Sequence, residues 1–296
     1  MPYPVNEVDL EAKQEITRLL FSCGADISDI NVVRKHLSQV KGGQLGRYYL
    51  PATVISLILS DVIGNDLSVI ASGPTYPDPS TFSGACEVLE RYHLLSRAPK
   101  SVIDFLRKGC LGEVVETPKT LDNCQNYIIG DNSLALEAMQ SRAKQMRLAP
   151  CIVTGQQQGD VNAVAVARAE ELLNMKYAEY NAILIGGETT MTVPSSSGRG
   201  GRNQHYAAVS MLAMEKYQSE WVVASVGTDG SDFLPDVAGA MVDQNSLDIA
   251  RNKGIDVKSY IETCDSNTLL GQIGNSLIIT GDTGTNVGDI IVYLTT

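Results

Sequence analysis

Short apolar runs, each closed by glycine or a small polar residue and followed by a segment of helical period, set the strongest limit on how this chain can fold. Thr53–Leu59, Asn126–Ile129, Pro150–Val153, Ala182–Ile185, Trp221–Val226, Leu277–Thr280 and Ile290–Leu294 have the length and side chains of strands. Helical stretches run between or before them, at about Glu7–Ser22 (capped by Asn6), Asp29–Val40, Thr81–Tyr92, Pro99–Lys108, Ser133–Met146, Val161–Met175, Tyr206–Met214, Ser246–Asn252 and Asn267–Ile273. Strands alternating with helices predict an α/β fold: a largely parallel sheet flanked by helices. Thr53–Leu59, β-branched and apolar, suits a strand buried on both faces of such a sheet.

A parallel sheet places its ligand crevice outside the carboxyl ends of its strands. Asp61, Asp131, Glu188, Asp229 and Asp282 each fall just after one of the apolar runs, beside Gly, Ser or Thr. The stretch Leu184–Gln204 adds Gly198-Arg199-Gly200-Gly201-Arg202-Asn203, three glycines and two arginines just before a helical segment. Glycines let backbone N–H groups turn toward a ligand, arginine brings a planar charged fork, and a helix start adds unpaired donors. The stretch therefore reads as an anion cradle, or as a solvated surface loop. Asp and Ser also favour turns and caps after any strand. Taken together, strand-end carboxylates and an arginine–glycine loop suit a Mg²⁺–phosphate site. Arg34 and Lys41, at the end of the second helix, either aim at a ligand or are ordinary helix charges.

Composition narrows the classes. A net charge of −11 and a pI near 4.8 argue against a nucleic-acid partner. The apolar runs are too short to cross a bilayer, and MPYPVNEVDLEAKQE has neither the basic nor the apolar part of a secretory signal. Six cysteines without a C-x-x-C spacing and three dispersed histidines favour reduced thiols over a zinc site, in a soluble protein of the cytoplasm. There is no Gly-Lys dipeptide, hence no Walker loop, and no G-x-G-x-x-G follows a predicted strand. The protein-kinase and serine-hydrolase motif sets are also missing.

Several blocks resemble the glycerate 2-kinase family, in family order and over most of the chain: VRKHLSQVKGG (Val33–Gly43), SDVIGNDLSVIASGPTYPDPSTF (Ser60–Phe82), GGETTMTV (Gly186–Val193), GRGGRNQ (Gly198–Gln204), GTDGSD (Gly227–Asp232), AGAMVD (Ala238–Asp243) and TGDTGTNVGDI (Thr280–Ile290). The resemblance implies ATP-dependent phosphorylation of D-glycerate to 2-phosphoglycerate with Mg²⁺. It also implies a Rossmann-like larger α/β domain, its C-terminal part over residues 1–176, and a smaller α/β MOFRL domain over 177–296. Arg202 would be the catalytic or substrate-orienting arginine and Asp229 a catalytic carboxylate. Asp61, Asp66, Ser72, Gly73 and Thr75 would bind substrate or nucleotide from the larger domain. Glu188, Thr189, Gly198, Gly200, Gly201, Asn203 and Asp232 would do so from the smaller one. Which carboxylate holds metal is left open, as is assembly into a homo-oligomer.

Departures from the family pattern stand at His205 (usually Glu), at Phe233-Leu234 (usually Gly-Pro) and at Asp282 (usually Pro). Family members begin with a further segment carrying a Gly-Lys-Ala stretch whose lysine is thought to be catalytic. This chain resembles a truncated form, expected to be impaired as a kinase; an upstream segment could also carry a mitochondrial address. Two other readings stand beside the kinase: a hydroxypyruvate reductase, since some bacterial relatives carry that label, and a non-catalytic binding or regulatory form.

Overall fold

In the computed structural model, which describes residues 2–194 and 197–296, the chain forms two compact units. Ser195 and Ser196 of the Leu184–Gln204 stretch lie outside the described residues.

The first unit comprises residues 1–58 and 65–129. Its helix α1 (Leu10–Ser22) starts at Asp9, whose carboxylate accepts the Ala12 N–H, and not at Asn6. Helix α2 (Ile27–His36) is opened in the same way by Asp26 and ends before Val40. A short α3 (Gln44–Tyr48) and strand β1 (Val54–Leu59) follow, then α4 (Phe82–Arg91, capped by Thr81), α5 (Lys100–Cys110) and strand β2 (Cys124–Gly130). Ile16, Leu20, Ile30, Val33, Leu37, Leu89 and Leu106 fill the space between the helices and are fully buried. A buried ion pair, Lys35 to Asp78 (3.2 Å), and a contact of His36 Nε2 with Glu116 Oε1 (2.9 Å) tie α2 to the segments beyond it. Strand β1 pairs with β2 in a two-stranded sheet. It is not buried on both faces: Ile55 and Leu57 are 63% and 67% exposed, because one face of this small sheet has nothing packed on it among the described residues.

In the same unit the loop after α2 is stitched to the loop after β1. Gly42 and Gly43 donate their N–H groups to the carbonyls of Ser72 (2.9 Å) and Gly73 (2.7 Å). Ala71 and Ser72 hold φ of 51° and 63°, in the left-handed region that L side chains seldom adopt. Such backbone is kept only where the surroundings over-determine it, and it concentrates at functional segments.

The second unit comprises residues 59–64 and 130–296. Its elements are α6 (Asn132–Gln145), β3 (Pro150–Gln157), α7 (Val161–Leu173), β4 (Ala182–Gly187), α8 (Arg202–Ala213), β5 (Trp221–Gly227), β6 (Gly239–Asp243), α9 (Ser246–Asn252), α10 (Val257–Glu262), α11 (Ser266–Ile273), β7 (Leu277–Ile278) and β8 (Asp289–Thr295). The strands form one sheet in the order β3-β4-β8-β5-β6-β7. Only β3 and β4 pair in parallel; β4–β8, β8–β5, β5–β6 and β6–β7 are antiparallel. The expectation of a largely parallel sheet is corrected to a mixed one. A crossover between parallel neighbours needs a dozen or more residues and usually a helix. The loop from β5 to β6 contains no helix, and β8 enters between β4 and β5 running against both.

Strand β4 continues through Gly186-Gly187, and all six of its residues are buried. Gly187 has φ 140°, and a Cβ there would lie 2.3 Å from the Gln157 backbone N and O, so only glycine lets β4 approach β3 this closely. Ala165 and Ala169 of α7 face Ala207 and Ala208 of α8 across a core that also holds Ile183, Val223, Ile291 and Tyr293. The alanines let α7 and α8 lie close together. The buried phenols of Tyr206 and Tyr293 satisfy each other at 2.9 Å.

Candidate active site

The antiparallel entry of β8 decides the geometry of the site. Asp289, its first residue, is in register with Gly187 at the end of β4 and with Gly227 at the end of β5. Two glycines thus flank one carboxylate, which is 3% exposed. Glu188 follows Gly187 directly, and Asp229 and Asp289 both lie against Gly227, their Oδ1 atoms 3.1 Å and 3.7 Å from where its Cβ would stand. On the other side of β8, Asn132 of α6 donates from its amide to the carbonyls of Val287 (3.0 Å) and Asp289 (2.9 Å), fixing the approach to the strand.

Arg202, the first residue of α8, meets this carboxylate fork to fork. Its Nε donates to Asp289 Oδ2 at 2.6 Å and its Nη2 to Asp289 Oδ1 at 3.0 Å, while Nη1 faces Glu188 Oε1 at 2.9 Å. Burial works against the Arg202 charge. The bonds to Asp289 and the charges of Asp289, Glu188 and Asp232 outweigh it and raise the pKa. The guanidinium is therefore a fixed cation with two nitrogens committed to one carboxylate and the third turned to a half-exposed one. Burial raises the Glu188 pKa; the Arg202 charge opposes this, and Asp289 and Asp61 add to it. Asp61 accepts a 3.0 Å bond from the Asn286 amide.

The glycines of this loop make room for neighbouring side chains. A Cβ at Gly198 would lie 2.2 Å from Asp265, one at Gly200 2.2 Å from Ser266 Oγ, and one at Gly201 2.3 Å from the Asp232 carboxyl carbon and carbonyl oxygen. The loop amides of Gly198 and Arg199 are spent on the Thr263 carbonyl and the Asp265 carboxylate. Two of the N–H groups at the start of α8 are taken as well. Asn203 and Gln204 donate to Asp232 Oδ1 (3.0 Å) and Oδ2 (2.8 Å), so a carboxylate of the chain itself sits where an outside anion was expected. Asp232 is 4% exposed and also accepts from the Gln204 amide. Burial raises its pKa against these bonds. It anchors the start of α8.

Asn203 completes the arrangement: its amide N donates to Asp289 Oδ1 at 3.0 Å, and its Oδ1 accepts the Ser225 hydroxyl at 2.5 Å. Thr189 is buried beside Glu188. Asp229 accepts the Ser231 N–H with Oδ1. Asp131 caps α6, and Asp282 accepts the Gly284 N–H in an exposed turn. Both keep the turn and cap roles that their residue type suggests.

Asp66, Ser72, Gly73 and Thr75 belong to the first unit. Asp66 closes a turn on the Ser68 N–H, Ser72 donates to Asn31, and Thr75 donates to Asn126 at 2.6 Å. Among the residues that sequence reasoning had not singled out, Asp289 is the most consequential. It opens its strand, so a search for carboxylates after strands passes over it.

A family model described as a domain of unknown function (DUF4147) matches residues 1–107, and the MOFRL family matches residues 181–289. The glycerate 2-kinase of Pyrococcus horikoshii is 36% identical over 99% of this chain and 67% of its own length. A putative hydroxypyruvate reductase of Agrobacterium vitis is 37% identical, with 98% of this chain and 66% of that protein covered. The crystal structure of a glycerate kinase from Thermotoga maritima superposes with a TM-score of 0.88 at 37% identity, over 99% of this chain and 69% of that one. The chain belongs to the glycerate 2-kinase family. It spans about two thirds of the length of these family members.

The family departures have local explanations. Phe233, with φ 64°, is 84% exposed. His205 is buried, with Nε2 3.0 Å from Asn162 Oδ1. Burial lowers its pKa from 6.5, and the Asp160 charge opposes this. The folded state keeps the ring neutral, whereas the unfolded chain takes up a proton below pH 6.5. This contribution is complete above that pH and is lost as the pH falls toward the folded pKa. The urea midpoint of the wild type is expected to drop on acidification through this window, and His205→Gln should flatten the drop. An unchanged pH profile in the variant would show that the ring is already protonated in the fold.

Proposed function

We propose that this protein transfers the γ-phosphoryl group of ATP to the 2-hydroxyl of D-glycerate, giving 2-phosphoglycerate and ADP. The observation that carries this reading is the Arg202 fork, locked by a buried aspartate through two nitrogens and turned toward Glu188 with the third, in a chain of the glycerate 2-kinase family. Phosphoryl transfer is catalysed by positioning and by charge placed against the equatorial oxygens. A guanidinium held by Asp289, itself bonded by the Asn203 amide, needs no reorganisation when that charge develops. An incoming phosphoryl oxygen takes the place of Glu188 at Nη1 and leaves the Asp289 fork intact.

The hydroxyl oxygen attacks the γ-phosphorus as the bond to the bridging oxygen breaks, and ADP departs with that electron pair. Asp229 takes the hydroxyl proton: its Oδ2 has no hydrogen bond among the described residues. No group of three metal-type side chains converges among the described residues. That pattern fits Mg²⁺, which takes one or two carboxylates and completes its shell with water and phosphate oxygens. Glu188 and Asp61 are the pair that would hold it, and it would neutralise the triphosphate. Ser72, Gly73, Thr75 and Asp66 are the substrate- or nucleotide-binding residues we assign to the first unit.

The test follows 2-phosphoglycerate formed from D-glycerate and ATP with Mg²⁺. Arg202→Lys keeps the charge and loses the fork, so it should reduce the rate nearly as far as Arg202→Ala, by about 10²–10³. Restoration of most of the rate by lysine would reduce Arg202 to a point charge. Saturable NADH binding without phosphoryl transfer would favour the reductase reading.

A further inference from the structure

In the first unit, three cations meet with no counter-ion among the described residues. Lys13 of α1, Arg34 of α2 and Lys41 in the loop after α2 line one open pocket of about 530 Å³. No Asp or Glu lies in its wall; the other sides are mainly apolar, with Leu10 and Phe21 among them. Arg18 at the rim is already committed to Glu15 at 2.6 Å.

Lys13 is 5% exposed, and its ammonium has no hydrogen-bond partner among the described residues. Lys41 is 7% exposed and donates to the Ala71 carbonyl at 2.9 Å and more distantly to Ser72 Oγ at 3.4 Å. An ammonium has three donors, so one of its three is left over. Arg34 makes no hydrogen bond or ion pair among the described residues. Burial, then the charges of Lys41 and Arg34, pull the Lys13 pKa down to about 8. Unpaired buried cations are costly, and methionine or leucine would fill position 13 without that penalty.

We propose that this pocket binds a phosphate-class oxyanion, held by Lys13, Arg34 and Lys41. A lone carboxylate would neutralise one of three charges and offer two oxygens. A phosphate dianion offers more charge and an oxygen for each cation, and arginine and lysine are its usual partners. Binding would also load Lys41, which already holds the strained Ala71–Ser72 backbone, so the ligand would reach the loop carrying Ser72 and Gly73 through one side chain. The ligand is either free phosphate or the phosphoryl group of a small phosphomonoester.

The experiment measures the Tm of the whole chain against rising inorganic phosphate, glycerol phosphate or acetate at constant ionic strength. Inorganic phosphate or glycerol phosphate should raise Tm saturably by about 2–8 °C, the tighter of the two marking the source, and acetate should not. Lys13→Met and Arg34→Gln should each weaken the apparent affinity at least tenfold, while the exposed Lys216→Met should leave it unchanged. Lys13→Met removes an unpaired charge and is expected to fold; should it not, Arg34→Gln, at a half-buried position on α2, carries the test alone. Protection of Lys13 from reductive methylation by phosphate gives a second readout by mass spectrometry. No Tm rise, an equal rise with acetate, or a rise that survives Arg34→Gln would overturn the assignment.

Discussion

Asp289→Ala should lower phosphoryl transfer about as far as removal of Arg202 itself, by about 10²–10³, although Asp289 is buried behind the arginine. Without its carboxylate the guanidinium loses both bonds that set its plane, and the Asn203 amide loses its 3.0 Å acceptor. Arg202, about a third exposed, remains hydrated, so the effect should fall on kcat more than on folding. A positioning role is separable from a structural one by a double-mutant cycle. If Asp289 acts through Arg202, the Arg202→Ala, Asp289→Ala double variant should be little slower than either single one. Additive losses would show that Asp289 supports the site by some other route.

A large loss of stability is expected from Gly201→Ala. The new methyl would have to stand 2.3 Å from both the carboxyl carbon and the carbonyl oxygen of Asp232, which caps α8 through the Asn203 and Gln204 N–H groups. Moving Asp232 leaves those donors unsatisfied and a buried carboxylate unbonded. Overpacking of about 1–3 kcal/mol then adds to the loss of a cap of about 1 kcal/mol. Urea denaturation should show a loss of about 2–4 kcal/mol by that reckoning. Gly64→Ala, in open space, is strained by its φ of 84° but meets no atom, and should cost less. Equal losses at the two positions would mean that backbone conformation, and not the contact with Asp232, sets the requirement at Gly201.

Periodicity located most of the helices and strands because each carries enough apolar residues to bury one face. It did not reveal strand direction. β8 reads as the same kind of apolar run whether it lies parallel or antiparallel to β4, and only the long-range register with Gly187 and Gly227 settles that. The error carried into the site. Glu188 and Asp229 follow their strands, where the parallel-sheet rule places ligands, and both lie at the edge where Asp289 enters from the opposite direction. The glycines of Gly198–Gly201 were visible, but their reason was not. A glycine needed for a ligand and one needed for a neighbouring Asp or Ser look alike until Asp265, Ser266 and Asp232 are placed beside them. β1 shows the same limit in the fold: an apolar strand states that it can be buried and does not state that anything covers it.

Residues 59–64 leave the first unit, run with the second, and return before residues 65–129 complete the first. Asp61 reaches its Asn286 partner on this excursion. The backbone therefore passes between the units three times, after residues 58, 64 and 129. A single proteolytic nick between residues 58 and 65 leaves both units joined through the third passage, and a nick near residue 129 leaves them joined through the first two. Gene fragments cut at either place would not encode a complete unit: one ending at residue 129 carries Asp61 away from Asn286, and one beginning at residue 130 lacks it.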